Sequence, residues 1–193
     1  MGLLSMLFGT KSPQKVMLQL LSGPSTEMTN EMGRVYINQI KILSEDYDNV
    51  KLSARGILKA RLFGSCFMLY VYGTKWNDDS LTEIMNLSSG LAMLCFSSDK
   101  SLASIDVSDA KSITGSYMLD VIKAIKEEVK EGSSSGGHFT KGFEKLIALY
   151  ISAIMESVDD ESIEEQICEQ LEINVVGIIF ANLKNTMLWQ NGI

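Results

Sequence analysis

The chain has 193 residues with 17 Lys and Arg against 24 Asp and Glu, a net charge of −7 with its one histidine neutral and a pI near 4.8. Area scaling gives about 31,000 Å² unfolded and about 9,000 Å² folded, so roughly 70% of the surface can be buried without metals or disulfides. With 46% hydrophobic residues and two prolines, global disorder and collagen-like character are excluded, and the acidic balance excludes general nucleic-acid binding, which requires clustered Lys and Arg.

Taken in chain order, the first eight residues, Met1 to Phe8, are apolar. They lack the preceding basic residue and following small-residue cleavage site of a secretory signal, and Met6 stands where a myristoylation pattern needs Ser or Thr. Docking on the chain's own core is the expectation, and a dip into a membrane surface is the alternative. Ser12-Pro13 starts a first helix, carrying Val16, Met17, Leu20 and Leu21, and Gly23-Pro24 ends it. A second helix runs from Ser25 or Thr26 to Glu45 or Asp46, with Met28, Met32, Val35, Tyr36, Ile40 and Leu43 along one side. Asp48 is expected to cap a third, through Val50, Ala54, Ile57, Leu58, Leu62, Cys66 and Leu69, apolar enough in its second half to be central. Its nearly uncharged stretch from Leu62 to Gly73 has twelve residues, against about twenty for a spanning helix, so no transmembrane segment is expected.

Ser80 and Glu83 form a capping box for a helix that reaches about Phe96. After the polar run from Ser97 to Asp109, Met118, Val121, Ile122, Ile125 and Val129 make a stripe opposed by Asp120, Lys123, Lys126, Glu127 and Lys130. The Gly132 to Gly137 run ends that helix, and residues 132–138 are expected to be a flexible Ser/Gly loop. Phe143, Leu146, Ile147, Tyr150, Ile151, Ile154 and Met155 then recur at helical spacing. Asp159 or Asp160 opens a short acidic helix with Ile163, Ile167 and Leu171 inside, and Val175, Ile179, Leu183 and Met187 continue as a last helix; the β-branched stretch Ile173 to Phe180 is the one place where a strand competes, and the 3.6-residue period running on to Met187 favours helix. The expectation is one all-α domain over residues 1–193, a bundle or irregular array of seven to eight helices joined by short turns. Most of the eleven methionines fall on apolar faces, which favours core filling over an exposed binding surface.

Catalytic motifs fail on detail. Gly132-Ser-Ser134-Ser-Gly136 matches the nucleophile-elbow pattern, but it follows a helix rather than a strand, and His138, the one histidine, has no fixed acidic orienter. His138-Phe139 also stands where a phosphate loop needs Lys and Ser or Thr. Asp46-Tyr-Asp48-Asn49 begins like a calcium loop, yet Lys51 replaces its glycine and Ile57 its last glutamate. Asp78-Asp79 and Asp159-Asp160-Glu161 are explained as helix-start acids by the helix dipole. No cofactor and no metal are expected. Cys66, Cys95 and Cys168 form no CxxC pair; they read as free thiols, which favours a reducing, cytoplasmic compartment.

The densest charge is Asp159, Asp160, Glu161, Glu164, Glu165, Glu169 and Glu172, seven carboxylates in fourteen residues without a cation. At about 100° per residue the glutamates share one side and Ile163, Ile167 and Leu171 face away. Glu161 with Glu165, and Glu165 with Glu169, repel at i, i+4 by a few tenths of a kcal/mol each, roughly. A solvated surface is the plain explanation of such a stripe. The functional one makes Glu161, Glu164, Glu165 and Glu169 a recognition face for a protein with a basic surface. The sequence therefore points to an acidic cytoplasmic protein-binding protein without enzymatic activity, of the immunity, antitoxin-like, adaptor or chaperone kind. A helical enzyme with a site dispersed in sequence and a peripheral membrane protein using residues 1–8 are the alternatives.

Overall fold

The computed structural model describes residues 24–72, 100–102, 104–131 and 140–160, together with positions 163, 165–169, 171, 175 and 177. Its described part is all-α: α1 spans Pro24–Asp46, α2 Ala54–Tyr72, α3 Val107–Glu131 and α4 Lys141–Met155, with a 3-10 turn at Lys100–Leu102. Positions 163, 165–169 and 171 are also helical and belong to the predicted acidic helix, and 175 and 177, helical as well, fall in the predicted last one. The Pro13 and Ser80 helices, the 132–138 loop, the rest of the last helix to Met187, and the helix count that depends on them lie outside the described residues.

Local chemistry explains where these helices start. Thr140 has extended backbone angles and its hydroxyl accepts from the Phe143 N–H, 3.1 Å, as the N-cap of α4. The Asp106 carboxylate accepts from the Ser108 N–H, 2.6 Å, at the start of α3; that bond holds its pKa below the ordinary range. Ser53 caps α2, its hydroxyl accepting from Gly56 N–H at 3.3 Å and its carbonyl from Ile57 N–H at 3.0 Å. This moves the start of the third predicted helix. Asp48 does not cap it, and Val50 lies before it in an isolated antiparallel bridge to Val158.

As predicted from its apolar second half, α2 is central, packing against α1, α3, α4 and the 3-10 turn. Met32, Tyr36, Ile40 and Leu43 of α1, and Met118, Val121, Ile122 and Ile125 of α3, are buried in the same core as Ile57, Leu58, Leu62 and Phe63. Met32 and Met118 thus fill core space. Phe63 and Tyr150 meet edge to face, their centroids 5.4 Å apart. Cys66 is buried and Cys168 half-buried, both as free thiols.

Candidate functional site

The acidic helix is set in place by a short clamp. Lys51 N–H donates to Ser157 O at 2.9 Å, Asp159 N–H to Asn49 O at 3.2 Å, and the Asn49 side-chain amide to the Asp160 carboxylate at 3.1 Å. The Ser157 hydroxyl accepts from Ser53 N–H at 3.0 Å and shares a short hydrogen bond with the buried Tyr36 hydroxyl. Burial pushes the Tyr36 pKa up to about 12 against the opposing effect of these hydrogen bonds, so the phenol stays neutral. The chain leaves the clamp with Ile163 N–H donating to Asp160 O at 3.2 Å. Ile167 and Leu171, and beyond them Val175 of the predicted last helix, are then buried, so the acidic helix is anchored on the core.

Because those three face inward, Glu165 and Glu169 are exposed one turn apart. Among the described residues neither makes an ion pair. Glu161 and Glu164, the other two predicted recognition residues, lie outside the described residues. Asp160 is engaged by Asn49.

Glu156, directly after α4, takes Arg55 at 3.0 Å and Lys59 at 2.5 Å, while Arg55 also holds Asp109 at 2.7 Å. Lys59 stands 5.6 Å above the Tyr117 ring. Partial burial would raise the Glu156 pKa, but the hydrogen bonds and charges of Lys59 and Arg55 overcome it, and the carboxyl is held below its usual range. Sequence reading missed Glu156: its partners are far away in the chain and no local spacing joins them.

A groove of about 540 Å³ opens between α4 and the acidic helix, walled by Ile147, Ala148, Ile151 and Met155 on one side and Cys168 on the other, with Glu144 and Glu156 at its ends. Cys168 Sγ lies 3.9 Å from Met155 Sδ. A smaller cleft of about 340 Å³ between α2, α3 and α4 holds Arg55, Lys59, Ser112, Ser116 and Asp120; its cations already face Glu156 and Asp109. Among the described residues no three His, Cys, Asp or Glu gather into a group able to hold a metal ion. No described helix is long and apolar enough to cross a membrane. Ser134, His138, Asp78 and Asp79 lie outside the described residues. No protein-family model matches the sequence, and comparison with curated proteins and with solved structures finds no match.

Proposed function

We propose that this chain is an acidic protein-binding protein, of the immunity, antitoxin-like, adaptor or chaperone kind, that acts in a reducing, cytoplasmic compartment by engaging a partner with a Lys and Arg surface. The observation that carries this reading is the pair Glu165 and Glu169, exposed one turn apart on a helix whose opposite side is fixed in the core. Like charges at that spacing cost helix stability, and the described structure supplies neither with a cation. A basic partner removes the repulsion and gains the attraction. The net charge of −7 acts in the same sense over a Debye length of about 8 Å at physiological salt, so association is fast and weakens with salt.

The test is to capture the partner from the source cell and measure association kinetics for wild type and for the Glu165→Lys, Glu169→Lys double variant at low and high salt. The double reversal exchanges two attractions for two repulsions. Affinity is expected to fall more than tenfold, about 1.4 kcal/mol, mainly through a slower association rate, while thermal melts stay level. Unchanged affinity in the folded double variant rejects the proposal.

A further inference from the structure

We draw no further inference here: the strongest candidate, the groove between α4 and Cys168 of the acidic helix, carries none, because Ile151 belongs to the core and Ile147 and Met155 pack against it, Glu156 at its end is already paired with Arg55 and Lys59, and nothing in the structure shows what covers it.

Discussion

Gly56 marks the closest approach of α2 to two neighbours at once. A Cβ there would strike the Tyr36 hydroxyl and come within 2.6 Å of the Ala153 carbonyl oxygen. Neither can retreat cheaply, because the Tyr36 hydroxyl is tied to Ser157 and Ser53, and Ala153 O belongs to the α4 backbone. Alanine's helix propensity favours the substitution by about 1 kcal/mol, but overpacking of a close crossing costs about 1–3 kcal/mol and here meets backbone. Gly56→Ala is therefore expected to destabilise by up to about 2 kcal/mol net in urea denaturation; an unchanged midpoint would show that the crossing can open. Tyr150 presents the opposite case. Its hydroxyl is buried and has no hydrogen-bond partner among the described residues, while its ring packs on Phe63. Tyr150→Phe keeps the ring and removes an unsatisfied polar group, so a gain of about 1 kcal/mol is expected. Calorimetry decides it, and a loss on substitution would reveal a bonded hydroxyl.

At the scale of elements, α4 depends on a single well-formed cap. Thr140 is buried, and its hydroxyl satisfies the Phe143 N–H that the helix itself cannot. Thr140→Ala should cost about 1 kcal/mol, and Thr140→Ser much less, because the serine hydroxyl can make the same bond. Equal losses in urea denaturation would place the threonine's contribution in its methyl group rather than in the cap. This local dependence is also why so much of the helical plan was legible in the sequence. The second predicted helix ends at Asp46 as observed, and the stripes Met32 to Leu43, Met118 to Ile125 and Phe143 to Ile154 go inside, since each is fixed by spacing within one element. The start of α2 was not legible. Asp48 and Ser53 are both competent caps, and Ser53 holds the position because residues 49–51 pair with 157–159, a contact over a hundred residues long that no local pattern encodes. The same holds for Glu156 and its cations. The acidic stripe was readable as a periodicity, and two of its members, Glu165 and Glu169, are exposed on the predicted side of their helix. The groove beside it was not anticipated, since it arises only where α4 and Cys168 of the acidic helix come together.

At the scale of the whole molecule, the contacts of Glu156 join the start of α2, the start of α3 and the end of α4 through Arg55, Lys59 and Asp109. Its carboxyl is held below its usual pKa because Lys59 and Arg55 outweigh the partial burial that opposes them. The unfolded value is about 4.3, so the folded chain binds this proton less readily than the unfolded one. The resulting stability is fully present above the unfolded value and is lost as pH falls through the folded one. Arg55 is 45% exposed along its side chain and Asp109 53%, so solvent screens the network and its worth is about 1 kcal/mol. Acid also protonates the other carboxylates and relieves the self-repulsion of a chain at −7, which acts in the stabilising direction over the same range. The two effects are separated by comparing wild type with Glu156→Gln, which keeps the shape and removes the titration. At neutral pH the variant should melt lower; as pH falls from about 5 to about 3, its deficit should shrink because wild type loses the same interaction. Melting curves across that range measure the convergence. A deficit that stays constant with pH would assign Glu156 to packing alone and remove the electrostatic account of how these helix ends, and the acidic helix that follows Glu156, are held together.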